Sequence, residues 1–243
     1  MENQQENHKP ERVTLEEKLG ALQISKDDFH FYTSTFVQDR SRYLIKEEGQ
    51  SWREVKTKNG KSAPLADNIV ASHLSGLYEI ATAAPMKARH CCIIVQYVEE
   101  FRHLYGRIAS YLKTPLVFYD RRTKRLHYYC HFDFLISPKK LFLVMSWELD
   151  HIGIMPQLSS YQIFPHRPLS MRLPLGKDSF LIDPQTVKVV CNGTELKEAI
   201  GVIRERLTYR SFKDLFPTIP DRNGTTTDNH RFERYIDLEH SAF

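Results

Sequence analysis

The chain has 243 residues, of which 41% are hydrophobic and 26% are charged, and its formal net charge is +4. No run approaches the roughly 18 apolar residues that a membrane helix needs, and the polar first twelve residues lack the apolar stretch of a secretory signal. We therefore expect a cytoplasmic protein without a membrane partner. The mild positive charge is compatible with nucleic-acid binding but does not establish it.

The N-terminal part divides into a predicted disordered leader over residues 1–12 and an α-rich segment over residues 13–64. Thr14 and Glu17 form a capping box, in which both side chains satisfy free amide groups, so a short helix is expected to start there. The aromatic and charged stretch from Phe29 to Asn59 gives no assignment.

A compact alternation of helices and strands follows within residues 65–210, and the polar residues 217–243 are expected to form a loose tail. The predicted elements are a helix over 64–77, a strand over 90–98, a helix over 99–113, strands over 115–119 and 125–134, a helix from Ser137 to near Gly153, strands over 161–164 and 179–182, and a helix over 194–207. This order indicates an α+β fold with helices packed on one face of a sheet.

The strand over 125–134 alternates with period two. Its one side carries Leu126, Tyr128, Cys130 and Phe132, and the other carries His127, Tyr129, His131 and Asp133. The two histidines are then readable as polar residues on a solvated face.

Cysteine spacing provides no paired Cys-x-x-Cys for a structural zinc, and Cys91 and Cys92 are expected to be buried in a strand.

Four segments carry a pattern of motifs. Residues 67–76 contain His73-Leu-Ser-Gly, and an apolar strand ends in Gln96-Tyr-Val98. A basic turn and strand contain His127. Residues 161–165 end in Ile-Phe-Pro and are followed by Arg172-Leu-Pro-Leu-Gly-Lys177. In order and spacing these segments resemble the archaeo-eukaryotic primase superfamily, in particular the primase domains of conflict systems and mobile elements.

This resemblance covers roughly residues 65–207 and implies an RRM-like antiparallel sheet. In the family, carboxylates on adjacent strands hold two divalent cations for phosphoryl transfer. Here Gln96 and Val98 stand where two aspartates are expected, and Gln162 stands where the third carboxylate is expected. An amide oxygen is a poor ligand for Mg²⁺ and a valine is none. The resemblance therefore implies a pseudoenzyme that retains no catalytic residues and no metal cofactor.

Anion-binding residues remain at the matched positions. The resemblance implies that His127, Arg172 and Lys177 contact nucleotide phosphates. Two basic loops are candidates for contacts with nucleic acid, through Arg121, Arg122, Lys124, Arg125 and Arg167, although such clusters are more often only solvated turns.

Three functions stay open. The first is an inactive primase-like module that binds DNA, single-stranded or primer-template, and acts with a helicase, a polymerase or another replication or defence protein. The second is an active primase-polymerase that uses Mg²⁺ or Mn²⁺ on relocated ligands such as Glu99, Glu100 or Asp133. The third is a protein-interaction module without nucleic-acid binding, whose contact surface would be exposed aromatic residues among Phe29, Phe31, Tyr32 and Phe36.

Overall fold

The computed structural model describes residues 13–114, 116–151, 161–166, 170–190 and 196–211. The helices are α1 (Leu15–Ala21), α2 (Lys26–Phe36), α3 (Asp67–Leu74), α4 (Arg102–Tyr111), α5 (Pro138–His151) and α6 (Leu196–Arg206), and a 3₁₀ turn (Glu99–Phe101) precedes α4. The strands are β1 (Tyr43–Lys46), β2 (Arg53–Glu54), β3 (Glu79–Thr82), β4 (Ala88–Gln96), β5 (Val117–Asp120), β6 (Arg125–Ile136), β7 (Tyr161–Phe164), β8 (Met171–Arg172), β9 (Ser179–Asp183), β10 (Lys188–Val189) and β11 (Tyr209–Arg210). The predicted α+β class is confirmed. The predicted leader and polar tail lie outside the described residues.

The strands form two sheets. The larger has seven strands in the order β10-β9-β5-β6-β4-β7, with β11 added in parallel to β6, and the smaller has the order β2-β1-β3-β8. The other strand pairs are antiparallel. Because β1 pairs with β3, residues on both sides of position 64 share one sheet.

Each face of the larger sheet is covered. On one face, α4 and α5 pack against the apolar side of β6, and Tyr105 and Leu141 are completely buried there. On the other face, α2 and α6 contribute Phe36 and Ile200 to a second cluster that contains Tyr129 of β6. The strip of this second face near the ends of β4 and β7 stays partly open, since Gln96 is half-buried and Gln162 is exposed.

Capping explains where the first helices begin. The capping box of Thr14 and Glu17 is present at α1, as predicted. A second box, of Ser25 and Asp28, starts α2 in the stretch that gave no assignment. In both boxes, hydroxyl and carboxylate groups satisfy amide groups that have no partner inside the helix.

Two expectations about exposure are wrong. Tyr129 and His131 of β6 do not face solvent, because Phe36 of α2 packs on both rings with centroid distances of 5.2 and 5.9 Å. Phe29, Tyr32 and Phe36 are likewise buried, and Phe31 is half-buried beneath the Arg204 guanidinium. The aromatic residues of α2 therefore anchor the helix to the core and do not form an exposed contact surface.

Cys91, Cys92 and Cys130 are buried free thiols, as expected for the first two, while Cys191 lies outside the described residues. Within the part of the chain that the structure covers, no helix has the length and apolar character to cross a membrane.

Candidate functional site

The resemblance singles out positions 96, 98, 127 and 162. Three of them, Gln96, His127 and Gln162, lie together on one face of the larger sheet. Ile94 of β4 is flanked by His127 of β6 on one side and by Gln162 of β7 on the other. Gln96 is two residues further along β4 and therefore points to the same face. Since neighbouring strands lie about 4.8 Å apart, Gln96, His127 and Gln162 are within roughly 10 Å of one another.

Gln96 has a structural contact that a carboxylate does not reproduce. Its side-chain Nε2 donates a hydrogen bond to the carbonyl oxygen of Lys124 at 2.9 Å, and so fastens the turn between β5 and β6 to the end of β4. An aspartate at this position has no N–H group to donate. Glutamine at position 96 therefore stabilises the turn between β5 and β6 through a hydrogen bond that an aspartate side chain could not donate.

Val98 contributes its backbone alone. Its N–H group donates to the Tyr105 hydroxyl at 2.6 Å, and its carbonyl oxygen accepts from the same hydroxyl at 2.9 Å. These bonds attach the end of β4 to α4. Neither Val98 nor Gln96 provides an anionic oxygen, so the metal ligands expected at the end of this strand are missing from it.

His127 is held as a neutral imidazole. Burial lowers its pKa to about 4, because the ring loses water contacts; Asp120 opposes this effect, while Arg172 and Arg125 add to it. Part of the residue still reaches the surface. A neutral histidine donates one hydrogen bond to a phosphate oxygen but adds no positive charge.

Arg172 lies inside an ion-pair network that joins the two sheets. Its Nη1 contacts Asp120 of β5 at 2.5 Å, and its Nε lies 3.4 Å from Glu79 of β3. Arg122 also binds Glu79, with one contact at 2.6 Å. The side chains of Arg172, Glu79 and Asp120 are each no more than 9% exposed. Two cations predicted to bind phosphate or nucleic acid are therefore already paired with carboxylates of the chain.

Sequence reasoning missed both carboxylates of this network. Burial by itself would raise the pKa of Asp120, but the charge of Arg172 and a hydrogen bond from the Thr123 amide bring it below its ordinary value. The signal available was weak: Asp120 is a charged residue at the end of a buried strand. Its partner Arg172 is 52 residues away in the chain.

The segment around His73 packs directly on the Arg172–Lys177 loop. The carbonyl oxygen of Pro174 accepts hydrogen bonds from the Tyr32 hydroxyl at 2.6 Å and from His73 Nε2 at 3.2 Å. The Ile80 amide donates to His73 Nδ1 at 3.3 Å. Two of the motif segments are thus in contact, and His73, completely buried, positions the loop.

Gly176 leaves the space that the His73 ring occupies. A Cβ atom built on Gly176 would lie 2.1 Å from His73 Cε1. We expect Gly176→Ala to lower the free energy of unfolding by about 1–3 kcal/mol, because the hydrogen-bonded imidazole has no room to move. Urea denaturation measures this difference.

Gly201 of α6 provides the matched control, since nothing lies within 4 Å of a Cβ built on it. Gly201→Ala should be neutral or stabilise the protein by up to about 1 kcal/mol, as alanine does in a helix. Equal effects of the two substitutions would contradict the close packing of Gly176 on His73.

The basic turn between β5 and β6 contains cations that are paired with carboxylates and cations that are free to bind a ligand. Arg121 contacts Asp178 at 3.1 Å and Arg122 is held by Glu79. Lys124 and Arg125 have no carboxylate within ion-pair distance among the described residues, and Lys124 is exposed. Lys177 forms an exposed ion pair with Glu48 at 2.9 Å. The predicted nucleic-acid contact Arg167 lies outside the described residues.

The structure does not bring the proposed replacement ligands together. Glu99 and Glu100 follow the end of β4, whereas Asp133 is eight residues along β6 from Arg125, the partner of Gln96. At about 3.3 Å per residue, this separation is roughly 26 Å, too long for a pair of shared metal ions about 4 Å apart. Over the residues that the structure describes, no group of three or more His, Cys, Asp or Glu side chains is arranged to hold a metal ion.

Comparison with protein-family models found no match, and no curated protein is significantly similar to the chain. The motif resemblance therefore stands on the residues alone.

Proposed function

We propose that this chain is a catalytically inactive, primase-like module that binds single-stranded DNA. The observation that carries the proposal is the shared face of Gln96, His127 and Gln162, which follows from the register of β4, β6 and β7. The resemblance places metal-binding carboxylates at two of these positions, and glutamine amides are poor ligands for Mg²⁺. In the proposed module, the face that carries the metal site in the family is present, but the catalytic metal is not bound there.

The contacts available on this face suit a nucleic-acid strand. Lys124 and Arg125 provide positive charge at its edge, and neither is paired with a carboxylate among the described residues. His127 and the two glutamines provide neutral hydrogen-bonding groups, and Ile94 between them is partly exposed. Backbone phosphates bind cations without regard to sequence, so we expect salt-sensitive binding with little sequence preference.

The test of binding uses fluorescence anisotropy with a labelled 20-nucleotide oligo-dT between 50 and 200 mM salt. The double variant K124A/R125A is expected to bind more weakly and to reduce the slope of log affinity against log salt by about 1.4, since each phosphate contact to a single strand contributes about 0.7. The control K139A/K140A removes the same charge just beyond the opposite end of β6, and it should bind like the wild type.

Three outcomes would overturn parts of the proposal. Unchanged affinity of K124A/R125A would remove the turn from the interface, and a wild-type chain without affinity for DNA would favour the protein-interaction alternative. Incubation with a primed template, deoxynucleotides and Mg²⁺ or Mn²⁺ is expected to give no extension. Robust nucleotide incorporation would instead show an active polymerase.

A further inference from the structure

Two buried histidines face each other across the centre of the larger sheet. His90 of β4 pairs directly with His131 of β6, and their ring centroids are 5.0 Å apart. His90 is 1% exposed and His131 4%. The Nε2 atom of each ring is buried without a hydrogen-bond partner among the described residues. Buried polar atoms of this kind are rare in folded proteins.

The end of α2 closes this histidine pair from solvent. The Phe36 ring meets His90 and His131 edge-on, at centroid distances of 6.5 and 5.9 Å. The Thr35 backbone favours the protonated form of His131, but the burial of the ring outweighs this effect. The side chain of Gln38 donates to the His90 carbonyl oxygen at 3.0 Å and accepts from the Arg89 amide at 2.6 Å. Gln38 binds backbone atoms of β4, whereas Phe36 contacts both imidazole rings, so the C-terminal end of α2 rests on the two histidines.

No counter-charge contacts the pair within the described part of the chain. The titratable neighbours on the same face are Cys92 of β4, Tyr129 of β6 and, from β11, Tyr209, whose ring lies 6.1 Å from that of His131. Arg210 of β11 forms its ion pair with Glu148 of α5 on the opposite face. An imidazolium formed here would lose its hydration and would face a second imidazole instead of a carboxylate.

We propose that His90 and His131 form an acid-sensitive latch, which releases the end of α2 from the sheet when an imidazole becomes protonated. Release would uncover the strip of sheet that contains Cys92 and Tyr129. This strip is continuous along β4 and β6 with the face that bears Gln96 and His127. The latch follows from the packing of α2 and does not depend on the proposed function.

The direction of the pH dependence follows from burial. Loss of solvent lowers the pKa of His131 to about 4 and that of His90 well below its ordinary value. In an opened state, contact with water returns the pKa of the first imidazole to be protonated to about 6.5. The latch is therefore fully closed above pH 6.5 and weakens as the pH falls from 6.5 towards 4. At pH 5, protonation of one histidine multiplies the opening equilibrium by about 30. The charge of the first ring opposes protonation of the second, so about 1,000 is the upper limit for both together.

Hydrogen exchange detected by mass spectrometry tests the latch. Peptides that cover residues 26–38 are compared at pH 7 and pH 5 after correction for intrinsic exchange rates. The wild type is expected to show an opening equilibrium about 30- to 1,000-fold larger at pH 5. The variant H90F/H131F keeps aromatic packing and removes both titrating groups of the latch, so the share of the pH response that the latch causes should be lost and only the response of other groups should remain.

Two controls separate the latch from general acid unfolding. His103 of α4 is exposed, and H103Q should respond to pH like the wild type. His73 and His127 are retained in H90F/H131F, so any acid response that they cause persists in that variant. A pH-independent wild-type peptide, or a full response in H90F/H131F, would overturn the latch. If the double variant does not fold, H131F is measured instead, and its pH response should be smaller than that of the wild type, by up to about 30-fold; an unchanged response would overturn the latch.

Discussion

Replacing Arg172 with methionine is expected to lower the free energy of unfolding by about 3–5 kcal/mol at pH 7, because removal of one partner leaves buried charge uncompensated. Asp120 loses its ion pair of 2.5 Å, and among the described residues Glu79 keeps only Arg122 as a cationic partner. The methionine retains much of the volume of the arginine stem, so lost packing contributes little. Denaturation by urea, monitored by circular dichroism, measures the difference.

The loss should depend on pH in a defined direction. In the wild type the pKa of Asp120 lies below its ordinary value of 3.8, so this group stabilises the fold above pH 3.8 and ceases to do so as the pH falls below that value. Without Arg172, two of the causes that lower the pKa of Asp120 are lost while burial still raises it, so this pKa should be higher than in the wild type. The difference between wild type and Arg172→Met should therefore be largest near pH 7 and should shrink as the pH approaches 4.

Two further variants establish the cause. Arg53→Met makes the same substitution in an exposed ion pair, in which the side chains of Arg53 and Glu47 are 55% and 37% exposed. It should lower the free energy of unfolding by less than about 1 kcal/mol. The double variant R172M/D120N should recover part of the lost stability, since it also removes the unpaired carboxylate. Equal losses for Arg172→Met and Arg53→Met would contradict a buried network.

Replacing Glu148 with alanine is the second substitution with a large expected effect, again about 3–5 kcal/mol. Glu148 of α5 and Arg210 of β11 form a two-pronged ion pair with distances of 2.6 and 2.9 Å, and their side chains are only 7% and 5% exposed. The pair attaches β11, which has only two residues, to the rest of the fold. We expect the variant to lose protection of β11 amides in hydrogen exchange as well as global stability.

The comparison variants are again matched. Glu47→Ala removes an equivalent carboxylate from the exposed pair with Arg53 and should change stability by less than about 1 kcal/mol. The double variant E148L/R210M replaces the buried pair with apolar side chains and should regain most of the stability. A loss in E148L/R210M as large as in Glu148→Ala would show that lost packing, and not loss of the ion pair, causes the effect.

Local signals predicted most of the regular elements. The capping box of Thr14 and Glu17, the turn between the strands predicted over 115–119 and 125–134, and the alternation along β6 each depend on neighbours within a few residues. Such signals can be read from the local sequence without any tertiary contact. The elements between Phe29 and Asn59 were not predicted, because β1 and β2 are short and owe their strand geometry to pairing with β3 and with each other.

Exposure could not be predicted from the alternation of β6. Period two separates the two faces of a strand, but it does not say which of them is covered. His131 and Tyr129 read as members of a polar face, yet Phe36, about 95 residues earlier in the chain, buries both rings. In a sheet that is covered on both faces, the sequence of one strand therefore does not show which of its side chains are exposed.

The chemical character of the motif positions was determined by the sequence alone: positions 96, 98 and 162 carry no carboxylate, whatever the fold. Only the tertiary structure decided which cations remain available. It pairs Arg172 and Arg122 with Glu79 and Asp120, residues that lie on different sheets and far apart in the chain. The reason is electrostatic, since a carboxylate buried in the core requires a cation at contact distance. The sequence does not give the distances between residues that are far apart in the chain.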